Sequence, residues 1–530
     1  MEPTGLDAEG LDMQTQNPDA IWKTLRSDWL ILEGNAPYSH SNWISAVSDR
    51  RCQLMAQSYP SNSQHLVLIA EPDPQQFLAA FWAALLENWD IALANPKWGM
   101  QEWRAVSQQI QPDIIWGEHV PEQVFSSVSQ PSGSQSSGSQ SSTSKPRSHT
   151  TRETHILIPT GGTSGQIKFI HHTWQTLLAS VNGFREHFEP QRPIDSYCVL
   201  PLYHVSGLMQ VMRSLISHGQ IAIAPFHHLE TDPLPERLPF SAQANSFRAL
   251  SLVPTQLQRL IQAERSPWLR QFNTVFLGGA PPWPTLLEAA QTQSIPLSLS
   301  YGMTETAAMV TALRPSDFLK GDRSSGAPLP HATIHIRPLT QNKLNQNKYG
   351  QHQHGRIEIQ SPSISTHTSP NQTLLTDDLG YLDTNGQLHL TGRASQTIIS
   401  GGENISPAEV EAAIQSTGQV KDICVLGIPD SQWGEAVTAI YVPKAATTAS
   451  TLKAALSQPH PSQSTPLLSR YKHPKHWVPL ESLPRNAQGK LNRQALKHQV
   501  LTQLTSQSNA LAQPVAPRGG ESPSLCRRDE

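Results

Sequence analysis

The sequence predicts an α/β protein: a large N-terminal domain of layered α/β subdomains with a β-rich part, and a small α+β domain at the C-terminus. Three observations predict it. Short apolar runs alternate with helical patterns as far as Ala327, the pattern of a parallel sheet with helices on both faces. From Ala327 the texture changes to closely spaced strand patterns. The length of 530 residues is too great for one core, so two or three domains are expected.

Each element has its own reason. His155–Ile158, Tyr197–Leu200, Gln220–Ala224, Arg248–Leu252 and Asn273–Leu277 are short apolar runs and read as buried strands; Trp174–Arg185 and Thr255–Ala263 carry helical spacing. Thr333–Arg337, Gly355–Gln360 and Tyr381–Thr391 read as antiparallel strands, and Asn385-Gly386 between Leu382 and Leu388 signals a two-residue hairpin turn. Past Arg393 a helix starts with Ser406 as N-cap, Pro407 at its first position and Glu409 closing a capping box; Val410, Ala413 and Ile414 follow at helical spacing. The domains expected are residues 1–393, residues 394–500 and a disordered tail over 506–530. Ser126–Thr150 is Ser/Gln-rich and nearly free of apolar residues, so it reads as a disordered insertion; Gln341–His354 is a second polar excursion. No repeat of 20–50 residues is apparent.

Composition excludes several classes. A net charge of −3 gives no electrostatic footprint for nucleic acid or anionic lipid. Cys52, Cys198, Cys424 and Cys526 are far apart and suit neither a zinc site nor a disulfide framework. Asp7, Glu9 and Asp12 near the start exclude a signal peptide. The run Phe77–Leu86 is too short to span a bilayer, which needs roughly 20 apolar residues, and reads as a buried helix. A soluble, cytoplasmic protein is expected.

The chemistry lies in short segments. Thr160, Gly161, Gly162, Thr163, Ser164 and Gly165 follow an apolar strand, with Lys168 close behind. Glycines let backbone N–H groups approach phosphate oxygens, the hydroxyls add donors and the lysine adds charge. The string is neither a Walker A loop nor a G-x-G-x-x-G fingerprint. The alternative is a polar strand-to-helix turn. Tyr301-Gly-Met-Thr-Glu-Thr306 offers a ring for a base and a carboxylate for a hard cation. Thr376-Asp-Asp-Leu-Gly380, Gly392-Arg393, Ser400-Gly-Gly-Glu-Asn404 and Pro484-Arg-Asn-Ala-Gln-Gly-Lys490 follow in order.

The order and spacing of these segments resemble the adenylate-forming superfamily, the acyl-CoA synthetases and their relatives, over roughly residues 25–500. The resemblance implies ATP, Mg²⁺ and coenzyme A as cofactor and cosubstrates. It implies Tyr301 stacked on adenine, the Gly278-Gly279-Ala280 backbone flanking it, Thr304 on the α-phosphate and Glu305 on the metal. Asp378 would bind the ribose hydroxyls, Arg393 the ribose or phosphate, and Lys490 would bridge acid and α-phosphate during adenylation. The small domain would then swing about Ser395, bringing Gly401, Gly402 and Glu403 to the pantetheine channel. The chain departs from the family pattern at Gly161 (usually Ser), Ile167 (usually Pro), Asp377 (usually Gly) and the hinge Ala394-Ser395-Gln396, where many relatives are acidic. Asp377 adds like charge beside Asp378 unless it turns away.

Pro201-Leu-Tyr-His-Val-Ser-Gly-Leu208 is similar to a stretch of the o-succinylbenzoate–CoA ligases of menaquinone and phylloquinone synthesis. That similarity implies His204, Ser206 and Gly207 lining the acid pocket, with Arg213 available to a second, distal carboxylate. The function implied is an ATP-dependent acid–thiol ligase acting through an acyl-adenylate on a small carboxylic acid. Three alternatives stay open: another aryl or fatty acid, a carrier protein as acceptor, and a non-catalytic nucleotide-binding protein.

Overall fold

The computed structural model describes residues 17–32, 39–57, 65–125, 153–161, 167–188, 191–241, 245–339, 352–430, 432–445, 447–457, 468–485 and 491–511. The expected insertion over 126–150 lies outside them.

The larger part contains three sheets. In one the strand order is Leu30–Leu32, Ile221–Ile223, Ile194–Cys198, Phe247–Leu252, Thr274–Leu277, Leu297–Met303, Ala308–Ala312, Ala327–Pro328. Its first six strands are parallel and the last two antiparallel. A second sheet orders Ile114–Trp116, Leu66–Ile69, Asp90–Leu93, His155–Gly161 and Ile167–Thr173; only the last strand runs antiparallel. The strand–helix alternation thus serves two sheets rather than one. The helix Pro74–Leu86 is buried at every position from Phe77 to Leu85. It shares one core with Ile69 and Ile156 of the second sheet and Ile221 and Cys198 of the first, which explains why its sequence is apolar all round.

Thr333–Pro338, Gly355–Gln360, Thr373–Leu382 and Leu388–Arg393 form the antiparallel third sheet. Its last hairpin has a wider turn than the two residues expected. Pairing stops at Leu382–Leu388, because the Asp383 carboxylate accepts N–H bonds from Asn385 and Gln387, both at 2.9 Å. Of the polar excursion Gln341–His354, residues 340–351 lie outside the described residues; His354 bonds the Thr391 hydroxyl at 2.7 Å.

The smaller C-terminal part is α+β. Its sheet orders Glu403–Ile405, Ile398–Ser400, Gly434–Pro443 and Val420–Asp430, with His476–Pro479 paired to Gly434–Pro443. The helix Pro407–Ser416 begins where expected, with Ser406 as N-cap. The capping box is absent. The Ser406 hydroxyl donates to the Thr391 carbonyl at 2.8 Å, and Glu409 is drawn to the buried Lys472 at 2.5 Å. The last helix, Arg493–Leu511, runs past Ser506 into the expected tail; residues 512–530 lie outside the described set. No helix among the described residues is long and apolar enough to cross a membrane.

Candidate active site

Hydrogen bonds bring residues of the three sheets of the larger part together: Tyr301, Asp378 and Arg393 form one group, and Thr304 meets His172. Gly278 follows the carboxyl end of Thr274–Leu277, and Tyr301 lies near the end of Leu297–Met303. Ligands of open parallel sheets bind beyond such carboxyl ends. Gly279 has φ +80°, a conformation that favours glycine. The ladder shifts register between Tyr301 and Gly302, and a Cβ on Gly302 would lie 2.0 Å from the Ala308 carbonyl oxygen. Glycine therefore permits the close return of the chain behind the tyrosine.

Tyr301 is 7% exposed, and its hydroxyl donates to Asp378 Oδ2 at 2.8 Å. Arg393 Nε donates to Asp378 Oδ1 at 2.7 Å. Asp378 and Arg393 are cross-strand partners, so the sheet register itself presents the pair. The Asp378 N–H also reaches the Thr376 hydroxyl at 3.2 Å, which donates to the Ile357 carbonyl at 2.8 Å. Burial, reinforced by the Asp378 charge, raises the Tyr301 phenol well above its ordinary pKa, so it stays protonated and serves as a donor.

Thr304 and Glu305 occupy the tight turn Thr304–Thr306, half-buried, followed by Ala307 at φ 49° and Ala308 at φ 81°. Two consecutive left-handed alanines are costly, at about 1–2 kcal/mol each. The turn is held from outside. The Thr304 carbonyl accepts from His172 Nε2 at 2.6 Å, Glu305 from the Ser365 N–H at 3.1 Å, Thr306 from the Ser363 hydroxyl at 2.9 Å and Ala307 from the Ser180 hydroxyl at 2.7 Å. Sequence reasoning missed all four partners. They bind main-chain carbonyls distant in the chain, and neither spacing nor periodicity marks them.

The strand that leads into the glycine- and threonine-rich segment pairs with the strand that follows it, so a second strand and not a helix comes next: Thr160 pairs with Lys168 and Gly161 with Ile167, antiparallel. Gly162, Thr163, Ser164 and Gly165 lie outside the described residues, as does Lys490. Thr160 is half-buried and Lys168 exposed.

His204 is the N-cap residue of the helix Val205–Ile216 and packs edge-on against Tyr203, ring centroids 4.5 Å apart. Ser206 is exposed. Gly207 is accounted for by packing, because a Cβ there would lie 2.1 Å from the Pro201 carbonyl oxygen. Arg213, in the last turn of this helix, is 4% exposed and lies 4.3 Å over the Phe184 ring. Its Nε and Nη2 have no hydrogen-bond acceptor among the described residues, and burial lowers its pKa to about 9. His331 is held near 4, first by burial and then by the Arg213 charge.

Asp377 turns away from the Tyr301 group. Its carboxylate accepts both the N–H of Ser395, at 3.2 Å, and the Ser395 hydroxyl. Ser395 sits in the short 3₁₀ turn Ala394–Gln396 directly after Arg393. Gly401 and Gly402 turn the exposed hairpin between Ile398–Ser400 and Glu403–Ile405, at φ +59° and +84°. Among the described residues, no hydrogen bond joins Gly401, Gly402 or Glu403 to Tyr301, Thr304 or Asp378. No group of three metal-ligating side chains is present among the described residues. Glu305 beside the Thr304 hydroxyl suits a Mg²⁺ ion that takes most of its oxygens from phosphate and water.

A phenol, a carboxylate and a guanidinium from two sheets, beside a clamped Thr-Glu turn and a Gly/Thr hairpin, define a nucleotide-handling enzyme class. Residues 62–367 match the AMP-binding enzyme family and residues 409–490 match its C-terminal domain; the chain belongs to this family. It is 32% identical over 361 residues to a 2-succinylbenzoate–CoA ligase of Listeria monocytogenes serovar 1/2a, covering 65% of this chain and 70% of the relative. A 2-succinylbenzoate–CoA ligase of Enterococcus faecalis is 32% identical over 355 residues, covering 65% and 68%. Among solved structures, the Bacillus subtilis o-succinylbenzoate CoA synthetase bound to its acyl-adenylate intermediate superposes with a TM-score of 0.69, at 24% identity, over 89% of this chain and 95% of that one. ATP-bound MatB from Rhodopseudomonas palustris gives 0.69 at 19% identity, over 92% and 98%.

Proposed function

We propose that this protein is an ATP-dependent acid–thiol ligase whose acid is o-succinylbenzoate. In the first half-reaction RCOO⁻ + ATP gives R-CO-AMP and pyrophosphate; in the second, CoASH displaces AMP to give the thioester. The carboxylate is itself the nucleophile, so no protein nucleophile is required. The observation that carries the reading is the Tyr301–Asp378–Arg393 group beside the pinned Thr304-Glu305 turn.

Each residue then has a task. The Tyr301 ring and the Gly278-Gly279-Ala280 backbone flank adenine, and Asp378 with Arg393 holds the ribose. Thr304 binds the α-phosphate, and Thr160 to Gly165 with Lys168 bind the outer phosphates. Glu305 would hold Mg²⁺, which would supply positive charge to the phosphates. Lys490 neutralises charge as the acid attacks; one such contact is worth on the order of 10²–10³ in rate. His204 and Ser206 line the acid pocket. Arg213, buried and short of acceptors, is the partner for the second carboxylate of a dicarboxylic acid. The large domain ends at Arg393, the small domain covers 394–500 and pivots at Ser395, and Gly401, Gly402 and Glu403 meet the pantetheine arm. The small-molecule substrates and the expected cytoplasmic location follow from the same reading.

The experiment is a panel of acids scored for AMP and CoA-thioester formation. o-Succinylbenzoate should exceed the analogue that lacks its second carboxylate, the one not joined to AMP, by at least about 10²-fold in kcat/KM, because that analogue keeps the reacting group but leaves a buried guanidinium unpaired. Preference for a fatty or monocarboxylic aryl acid would overturn the choice of acid. Acid-dependent pyrophosphate exchange without CoA-thioester formation would point to a carrier protein as acceptor. Absence of exchange with every acid would leave a nucleotide-binding protein.

A further inference from the structure

His172 has no task in the chemistry above, yet it is among the most enclosed polar groups of the chain. It is 0% exposed, on the strand Ile167–Thr173, which follows the Gly/Thr/Ser segment and pairs with the strand before it. Its Nε2 lies 2.6 Å from the Thr304 carbonyl oxygen and its Nδ1 lies 2.9 Å from the Thr176 hydroxyl. A carbonyl only accepts, so Nε2 carries a proton. Burial pushes the pKa down to about 4, so the ring is neutral and Nδ1 is the acceptor that faces the Thr176 hydroxyl, whose proton is shared with the Thr173 carbonyl at 3.0 Å. The tautomer is thus set by the Thr304 carbonyl, at the first residue of the Thr304–Thr306 turn.

We propose that His172 is a positioning residue for adenylation: its Nε2–H holds the Thr304 carbonyl and so fixes the Thr304-Glu305 turn against the strand Ile167–Thr173. This rests on the ligase reading above. The need for such a tie follows from the backbone. The turn runs into left-handed Ala307 and Ala308, a conformation that alanines do not hold unaided. Ser363, Ser365 and Ser180 secure the later carbonyls, and His172 alone of the four partners comes from the strand Ile167–Thr173. Ser365 also bridges this strand to the turn, its hydroxyl on the His171 carbonyl and its N–H on the Glu305 carbonyl, so losing His172 loosens the turn at Thr304 without releasing it. A misplacement of about 1 Å costs on the order of 10²-fold in rate.

The test compares His172→Leu, which removes the donor, with His172→Gln, which keeps an N–H of similar reach. In acid-dependent pyrophosphate exchange, His172→Leu should lower kcat by about 10- to 100-fold. Its KM for the acid should stay within about twofold, and thioester formation from supplied acyl-adenylate within about threefold. His172→Gln should recover exchange to within about fivefold of wild type. Thr176→Val, which leaves the imidazole in place but removes its orienting hydroxyl, should lose about 3- to 10-fold, and Thr176→Ser should behave as wild type. Exchange by His172→Leu equal to wild type would overturn the proposal, as would equal loss in both half-reactions without rescue by glutamine. A wild-type protein that shows no exchange with any acid would overturn the ligase reading instead, and this role of His172 with it.

Discussion

Tyr301→Phe separates two jobs given to one residue. The ring is retained for stacking; only the hydroxyl that donates to Asp378 Oδ2 at 2.8 Å is lost. Both residues are at most 9% exposed, so water does not replace the lost donor freely. A hydrogen bond to a charged group is worth about 1.5–3 kcal/mol. Arg393 still holds the other carboxylate oxygen at 2.7 Å, so Asp378 is not stranded and the lower part of that range applies, about 1.5–2 kcal/mol. The nucleotide-free protein should lose that much stability in urea or thermal unfolding. In the complex, a ribose hydroxyl is proposed to donate to the same carboxylate and takes up the vacated site. The stabilisation conferred by saturating ATP should therefore be larger in Tyr301→Phe than in wild type, by about 1 kcal/mol. The same difference of about 1 kcal/mol corresponds to a fall of about fivefold in the dissociation constant, so KM for ATP should fall rather than rise. The paired assay is denaturation with and without ATP, together with exchange kinetics. Unchanged stability combined with a rise of more than about tenfold in KM would refute the reasoning, because the hydroxyl would then be acting on the nucleotide rather than on Asp378.

Two further outcomes follow from other contacts. Asp377→Gly, which restores the residue usual in the family, removes the acceptor of the Ser395 N–H and hydroxyl. With a half-exposed carboxylate the loss is about 1–2 kcal/mol, so the equilibrium constant favouring this arrangement at the proposed hinge should fall by about 5- to 30-fold, read as an interdomain distance change by spin-label spectroscopy; an unchanged distance distribution contradicts this. His172 is depressed to about 4 in the folded protein, whereas an unfolded histidine titrates near 6.5. Its stability contribution is complete above pH 6.5 and is lost as pH falls toward 4, amounting to about 2 kcal/mol by pH 5. Denaturation curves at pH 7.5 and 5 should differ by less in His172→Gln than in wild type, and equal differences would show that His172 does not titrate on unfolding.

Much of the fold was legible because burial and register leave local traces. Arg248–Leu252 and Asn273–Leu277 are strands within one residue at their starts, since apolar runs bounded by polar residues have few other places in a parallel sheet. Phe77–Leu86 was legible as a buried helix for the same reason. The grouping of Tyr301, Asp378 and Arg393 was legible through the resemblance of the short strings that hold them, and the three side chains do meet in hydrogen bonds. What escaped was tertiary polar pairing. Ser406 has the sequence of a helix cap, but its hydroxyl serves Thr391, and Glu409 serves Lys472. The resemblance marked Gly207 as a pocket residue, and nothing in the sequence showed that the Pro201 carbonyl also leaves no room there for a Cβ. Asp377 stood out as a departure, yet nothing local said that Ser395 would receive it.

The same distinction bears on how specificity can change. The residues proposed to serve the nucleotide come from three sheets and a turn: Thr160 and Lys168 from one sheet, Tyr301 from another with Thr304 and Glu305 in the turn that follows its strand, and Asp378 and Arg393 from the third. A substitution in any of these sheets that shifts a register displaces one part of the site against the others, as the single His172–Thr304 bond illustrates. His204, Ser206 and Arg213, by contrast, belong to one helix and its N-cap, and Arg213 rests on Phe184 of a neighbouring helix rather than on the nucleotide group. Changes at the far end of that helix should therefore add independently to changes at Tyr301 or Asp378, because well-separated sites without shared partners combine additively within about 0.5 kcal/mol. Acid preference can then drift through one helix face while the adenylating machinery, spread across three sheets, stays fixed. Arg213→Met combined with Tyr301→Phe is the sensitive pair: coupling above about 1 kcal/mol in kcat/KM would mean that the two ends of the site share a partner, and the separation argued here would not hold.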